Sequence, residues 1–284
     1  MPRAALAPST VRGGQNPEPL SAAPAARLGA LRWVLTDIDD TLTTDGRLTA
    51  AAYAAIERLS AAGLAVVPVT GRPAGWCDLI ARLWPVAAVV GENGALWYAY
   101  DPASRRMRRW QAAAEGDRAR LMALAGRAMA TVPGTALAAD QPFRVADVAV
   151  DFREDVASPL PIEAAERVAA VFEAGGATAK VSSIHVNAWF GAWDKWAGLE
   201  ALFATLWRPL REVLDEVAYV GDSPNDAPLF ARVPLSVGVA NVAPFLARME
   251  ARPAYVTRAA AGVGFVEFAE AVLAARNNRE ETQE

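Results

Sequence analysis

Short apolar runs alternate with helix-like segments in the first third of the chain. The apolar runs are residues 31–36, 64–69 and 86–90, and none of them shows a polar–apolar alternation. Helical spacing fills residues 49–62 and 76–84 between them. Strands without alternation are buried on both faces, and strands that alternate with helices form parallel sheets. We therefore predict an α/β fold with a Rossmann-like parallel-sheet core.

A different pattern begins near residue 98. A hairpin pattern, two helical segments and partly alternating strands follow, which indicates a sheet with one solvated face. Helix and strand alternate again from Asp194 onward. We predict that residues 29–97 and 191–276 form the parallel-sheet core, and that residues 98–190 form an inserted α+β cap domain.

The ends and the composition limit the remaining possibilities. Residues 1–28 are rich in Ala and Pro and are predicted to be a disordered tail, and residues 277–284 are predicted to fray. A net charge of −4 argues against a nucleic-acid partner, and no apolar stretch has the length of a membrane span. The single cysteine, Cys77, suits a reducing compartment, so a cytoplasmic protein is expected. We make no prediction of the oligomeric state.

Two carboxylates stand directly after the first apolar run. Asp37 and Asp39 are two residues apart, and burying an unpaired carboxylate is costly unless a cation or a reaction uses it. The chemistry that fits is a nucleophile, a general acid/base and a divalent metal ion between them. The alternative is a strand that ends in an Asx turn.

Polar residues also follow the other predicted core strands. Thr70-Gly71-Arg72 follows the second run, Glu92-Asn93-Gly94 follows the third, and Gly221-Asp222-Ser223-Pro224-Asn225-Asp226 follows residues 217–220. Chemistry in parallel sheets lies at these carboxyl ends of strands, and carboxylates that converge there favour a hard cation such as Mg²⁺. Lys195 begins a predicted helix, where a lysine is usually solvated but could neutralise a phosphoryl group.

These four elements, in this order, resemble the motifs of the haloacid dehalogenase superfamily of hydrolases. The elements are Asp37-Ile38-Asp39-Asp40-Thr41, Thr70-Gly71-Arg72, Lys195 and the Gly221–Asp226 segment. Glu92-Asn93-Gly94-Ala95 and the long insert are similar to the branch with a large α/β cap. That branch includes Cof-like and sucrose-phosphate phosphatases. The resemblance covers about residues 31–272.

The resemblance implies a role for each residue that matches a motif. Asp37 would be the nucleophile and Asp39 the general acid/base. The implied phosphate-binding residues are Thr70, Gly71, Lys195 and Asn225. The implied Mg²⁺ ligands are Asp37, the backbone carbonyl of Asp39, Asp222 and Asp226. The possible substrate contacts are Arg72, Glu92, Asn93 and Asn187. Asp40 departs from the pattern because this branch usually has Gly there, which suggests a tight turn that Asp tolerates.

The function implied is a magnesium-dependent phosphatase that hydrolyses a small phosphorylated metabolite, with a sugar phosphate as the expected class, through an aspartyl-phosphate. The alternatives are a sugar phosphomutase of the same superfamily and a phosphoacceptor signalling domain.

In the cap, His185 is predicted to be a hydrogen-bonded strand residue, with a pH switch as the alternative. Alternation places Asn187 on the same face, where it could bind a sugar hydroxyl. Trp189, Trp193 and Trp196 are predicted to pack where the cap meets the core. The alternative is that their rings stack on a sugar.

Overall fold

The computed structural model describes residues 16–112 and 118–281. The strands are β1 (Glu18–Pro19), β2 (Trp33–Thr36), β3 (Thr43–Thr44), β4 (Arg47–Leu48), β5 (Ala65–Pro68), β6 (Val89–Gly91), β7 (Leu96–Asp101), β8 (Arg106–Gln111), β9 (Ala136–Leu137), β10 (Val148–Asp151), β11 (Thr178–Val181), β12 (His185–Trp189), β13 (Val217–Gly221), β14 (Leu235–Gly238) and β15 (Tyr255–Val256). The helices are α1 (Ala25–Leu28), α2 (Ala50–Ala61), α3 (Ala74–Leu83), α4 (Arg118–Thr131), α5 (Ile162–Ala174), α6 (Lys195–Leu206), α7 (Ala227–Phe230) and α8 (Ala261–Glu281).

The core is a six-stranded parallel sheet in the order β1-β15-β14-β13-β2-β5. Strands β2, β5, β13 and β14 are buried on both faces, which explains why they read as unbroken apolar runs. In β2, Val34 packs into the hydrophobic cluster on one face and Leu35 into the cluster on the other. The predicted α/β fold with a parallel-sheet core is confirmed.

The insert carries a separate antiparallel sheet in the order β11-β12-β10-β9. Helices α4 and α5 cover one face of this sheet, where Val186 and Ala188 of β12 lie in a hydrophobic cluster with residues of both helices. Alternation therefore turns His185 and Asn187 to the opposite face. Asn187 donates a hydrogen bond towards Gly71, so that face of the sheet looks onto the core.

The hairpin of β7 and β8 differs from its predicted place in the cap. It pairs with β6, and Trp97 lies in a core hydrophobic cluster, so the cap sheet begins well after residue 98. Helix α6 ends at Leu206, because Pro209 disfavours helical backbone just before it.

The tails also differ from the prediction. Residues 1–15 lie outside the described part, but residues 16–28 are ordered, not disordered: β1 pairs with β15, and Leu20 and Leu28 are buried. Helix α8 continues to Glu281 without fraying at residue 277, and Arg279 donates a hydrogen bond to the carbonyl of Gly29. No helix within residues 16–112 and 118–281 is long and apolar enough to cross a membrane.

Candidate active site

The carboxyl ends of β2 and β13 bring the predicted acidic residues together. The backbone N–H of Asp37 donates to the carbonyl of Val220, which extends the β2–β13 pairing by one residue. The carboxylates of Asp37, Asp222 and Asp226 have oxygens within 4.8 Å of one another, and all three side chains are buried. Two separate stretches of sequence thus form one acidic centre.

Lys195 enters this centre from the first turn of α6. Asp194 caps that helix by accepting a hydrogen bond from the N–H of Ala197, which fixes where the helix begins. The ammonium nitrogen of Lys195 is 3.0 Å from Asp37 Oδ1 and 2.6 Å from Asp226 Oδ1. The lysine is buried, so the solvated role usual at a helix start does not apply here.

Asp226 anchors the centre from within its own turn. Its Oδ2 accepts the N–H groups of Asp222 and Ser223, and its Oδ1 accepts from Lys195 and from the hydroxyl of Tyr219. Both oxygens of Asp226 are therefore occupied by donors. Asp222 accepts weaker, neutral donors, the Thr41 hydroxyl at 3.0 Å and the Asn241 amide at 3.3 Å.

The electrostatics of the centre show an excess of negative charge. Burial raises the pKa of Asp37 to about 7, an effect that Lys195 opposes and that Asp226 and Asp39 reinforce. Burial, followed by the charges of Asp226 and Asp37, raises the pKa of Asp222 well above its ordinary value. Burial alone would lower the pKa of Lys195, but the two aspartates outweigh it and raise that pKa. Oxygen donors with uncompensated charge fit a hard divalent cation such as Mg²⁺.

The residues after β5 and β6 form a second part of the site. The Thr70 hydroxyl accepts the N–H of Arg72 at 3.0 Å, and the Thr70 carbonyl accepts the N–H of Asn93. A Cβ at Gly71 would lie 3.2 Å from the side-chain nitrogen of Asn93 and 3.4 Å from Asn187 Oδ1, so a larger residue would crowd this loop. Asn225 donates to Asn93 Oδ1 at 3.5 Å.

Asn93 has the left-handed backbone that its position requires, with φ of 54°. Its side chain is buried, and its Nδ2 has no hydrogen-bond partner among residues 16–112 and 118–281. A buried amide donor without a partner is costly. The arrangement therefore offers a donor beside Gly71 to an oxygen of a bound molecule.

Arg72 occupies a position that the sequence did not reveal. Its Nη2 and Nε donate to the two oxygens of Asp39 at 2.7–3.0 Å, and its Nη1 donates to Glu154 Oε2 at 2.9 Å. The guanidinium also lies over the ring of Trp76, 4.3 Å from its centroid. Arg72, predicted as a substrate contact, is thus shared between Asp39 and the insert. Glu154 has no sequence pattern that distinguishes it from other loop glutamates.

Glu92 and Asn187 were also predicted as substrate contacts, but both bind the segment 144–147 of the insert. The buried Glu92 carboxylate accepts the N–H groups of Val145, Ala146 and Asp147 and of Ala74. Burial, followed by the charge of Asp147, raises the pKa of Glu92 to about 7. Asn187 donates to Asp147 Oδ2 at 2.7 Å.

Arg144 completes this contact between insert and core. Its side chain is fully buried, pairs with Asp140 at 2.8 Å and with Asp147 at 3.0 Å, and donates to the carbonyl of Gly71 at 2.8 Å. Strand β10 begins only at Val148. The backbone N–H groups of residues 145–147 donate to the Glu92 carboxylate and not to a strand ladder, and the side chains of Arg144 and Asp147 pair with each other within the insert.

The remaining predicted residues divide between the site and the packing around it. Asp40 has φ of 55°, so the tight turn expected at this position is present. Burial raises the pKa of Asp40. His185 is buried in β12 with Nε2 3.1 Å from Glu154 Oε2, so its neighbour is a carboxylate of the insert. Trp189 and Trp193 stack at 6.0 Å in a buried cluster with Ala95, which is packing.

Comparisons with known proteins agree with this arrangement. The sequence model of haloacid dehalogenase-like hydrolases matches residues 34–115. No curated protein sequence matches significantly. The Thermoplasma acidophilum 0175 structure is similar over 86% of this chain and 98% of its own, at 19% identity and a TM-score of 0.63.

Two further solved structures share the fold. The HAD/COF-like hydrolase from Plasmodium vivax aligns over 88% of this chain and 98% of its own, at 17% identity and a TM-score of 0.63. The sucrose-phosphatase from Synechocystis, solved with sucrose and phosphate, aligns over 84% of this chain and 97% of its own, at 14% identity and a TM-score of 0.55. These likenesses span core and insert together.

Proposed function

We propose that the chain, whose residues 34–115 match the sequence model of haloacid dehalogenase-like hydrolases, is a magnesium-dependent phosphatase that acts on a small phosphomonoester. The observation that carries the proposal is the buried contact of Lys195 with Asp37 beside the uncompensated carboxylate of Asp222. This contact places the nucleophile Asp37 beside the fixed positive charge of Lys195. Asp222 lies next to both and could hold a cation. Positioning and charge neutralisation are the main requirements of phosphoryl transfer.

The proposed reaction has two steps. In the first, an Asp37 oxygen forms a bond to phosphorus, the bond from phosphorus to the leaving oxygen breaks, and Asp39 gives its proton to that oxygen. In the second, water forms a bond to phosphorus, the Asp37–phosphorus bond breaks, and Asp39 takes the proton from the water. Lys195, the Thr70 hydroxyl and the N–H of Gly71 would hold phosphoryl oxygens, together with Asn225 and Asn93.

Asp37, Asp222 and the carbonyl of Asp39 would hold the Mg²⁺ ion. Asp226 would act mainly by fixing its neighbours, because both of its oxygens already accept donors. The ion would neutralise charge that develops on the phosphoryl oxygens.

The substrate class follows from the space above the site. A cavity of about 1100 Å³ between core and insert is lined by polar residues such as Asp40, Ser183 and Asn241 and by apolar residues such as Phe245 and Val263. The polar residues could bind the hydroxyl groups of a sugar, and one solved structure of the same fold is a sucrose-phosphatase. We therefore propose a sugar phosphate of the cytoplasm as substrate.

The test is phosphate release from a panel of sugar phosphates, with Mg²⁺ or with EDTA, by the wild type, Asp37→Asn and the control Asp215→Asn. Asp215 is exposed and pairs with Arg27, so its loss should change nothing. We expect Mg²⁺-dependent release that Asp37→Asn lowers by about a thousandfold or more. Full activity of Asp37→Asn would contradict the assignment. Transfer of phosphate to a sugar acceptor without release would identify a phosphomutase, and a stable phosphoprotein without turnover would identify a signalling domain.

A further inference from the structure

A single guanidinium joins the proposed general acid/base to the insert. Arg72 places one edge against Asp39 and another against Glu154, which lies in the loop after β10. Fork-shaped contacts of this kind fix the plane and the direction of a carboxylate more strictly than a point charge does. Asp39 and Glu154 thus share one rigid group, although one belongs to the core and the other to the insert.

The surroundings of Arg72 leave it little freedom. Its side chain is 4% exposed, with Trp76 stacked on its plane and Asp140 3.5 Å from Nη1. Without a carboxylate from the insert, one edge of this buried cation would lack its partner. Glu154 is therefore part of what holds the guanidinium in place.

Glu154 is itself held in one position. The carboxylate of Asp151 accepts the N–H groups of Arg153, Glu154 and Asp155, which fixes the backbone of the loop. Burial opposes the ionisation of Glu154, but hydrogen bonds with His185 and Arg72 outweigh it and lower its pKa to about 2. The loop thus presents an ionised carboxylate to Arg72 in a defined direction.

The two oxygens of Asp39 are held unequally. Oδ1 accepts from Nη2 at 2.7 Å and from Nε at 3.0 Å, whereas Oδ2 accepts only from Nε at 2.9 Å among the described contacts. The side chain of Asp39 is 15% exposed. This geometry leaves Oδ2 as the oxygen with more room for a proton and a leaving group.

We propose that Glu154 is a positioning residue, which acts through Arg72 to aim Asp39 at the leaving oxygen. The inference rests on the proposed phosphatase function. The step that it serves is the transfer of the Asp39 proton to the leaving oxygen as the phosphorus–oxygen bond breaks. Because Glu154 belongs to the insert, the insert takes part in orienting Asp39.

The choice of leaving group separates positioning from a general structural role. An alkoxide leaves poorly unless it is protonated, so hydrolysis of an alkyl phosphate depends on a well-aimed acid. p-Nitrophenolate leaves as a stable anion and needs little help from an acid. A variant that misaims Asp39 should therefore damage alkyl phosphate hydrolysis selectively.

The experiment compares Glu154→Gln and Glu154→Ala with the wild type, using a sugar phosphate and p-nitrophenyl phosphate. Glu163→Gln is the matched control, because Glu163 is another glutamate of the insert that pairs with an arginine, Arg248, but is exposed. We expect kcat for the sugar phosphate to fall about 10- to 100-fold, with KM little changed, and kcat for p-nitrophenyl phosphate to fall less than about threefold. The control should match the wild type on both substrates.

Equal losses on both substrates, or no loss on either, would overturn the proposal. Melting temperatures of all variants identify any unfolding, and a loss that follows unfolding would be equal on both substrates. Failure of the phosphatase function itself would look different, because the wild type would then release phosphate from neither compound.

Discussion

The molecule contains two clusters of carboxylates that differ in the positive side chains that contact them. The core cluster consists of Asp37, Asp222 and Asp226 around Lys195. The interface cluster consists of side chains of the core and insert around two arginines; its members are Asp39, Asp140, Asp147, Glu154, Arg72 and Arg144. In the interface cluster each carboxylate contacts an arginine, whereas the recorded hydrogen bonds of Asp222 come from neutral groups.

The pKa values reflect this difference. Burial raises the pKa of Asp222 well above its ordinary value, whereas hydrogen bonds and arginine charge lower the pKa of Glu154 to about 2 despite burial. A cluster in which every carboxylate contacts an arginine can hold two parts of a protein together without another ion. In the core cluster, Asp222 gains a positive neighbour only when a cation is added, as the proposed catalysis would require. The core cluster therefore has a place for an ion, whereas the interface cluster joins the core to the insert and includes the proposed general acid/base, Asp39.

Asp222→Asn should have the largest effect on activity and should separate the clusters most clearly. Removing a carboxylate that holds the ion should lower kcat by about a hundredfold or more at a fixed Mg²⁺ concentration. The same change should raise the melting temperature in EDTA, because it removes uncompensated buried charge. Asp78→Asn, at an exposed i,i+4 pair with Arg82, is the control. A lower melting temperature in EDTA would contradict the description of the core cluster.

Arg144→Leu should have the opposite effect on stability. Breaking this buried ion pair leaves Asp147 without its arginine and Asp140 with only its 3.5 Å contact to Arg72, at a cost of about 3 kcal/mol or more in the free energy of unfolding. Mg²⁺ should not restore this loss. Arg248→Leu removes an exposed contact with Glu163 and should cost much less, because exposed ion pairs contribute little. Chemical denaturation of both variants measures the difference, and equal losses would show that the interface cluster is not special.

A pH series should show the smallest of these effects. The pKa of Asp37 is raised from its ordinary value of 3.8 to about 7 in the folded protein, so between these two pH values the folded state binds more protons than the unfolded state. Stability in EDTA should therefore fall as the pH rises through this window. Mg²⁺ favours the ionised form of Asp37. Adding Mg²⁺ should therefore raise the melting temperature of the protein more near pH 8 than near pH 5.5, by about a few degrees. An equal gain at both pH values would contradict the prediction.

The sequence was sufficient to predict the core cluster for a physical reason. Parallel strands end at one edge of a sheet, so Asp37 and Asp222 could be placed together without knowledge of their contacts. The interface cluster has no such rule. Glu154 and Arg144 lie in loops, where position depends on packing between distant segments. Arg72 was found by its motif, but its partners depended on those loops.

The ordered segment before α1 has a practical consequence for handling this protein. The outer edge of β15 would otherwise present open backbone groups, which readily recruit strands of other molecules. β1 covers that edge, Glu18 donates to the carbonyl of Ala254, and Pro19 has no N–H with which to extend the sheet further. A shortened protein that starts at residue 29 would leave this edge of β15 unpaired. The segment that resembles a dispensable tail in the sequence thus closes the edge of the sheet.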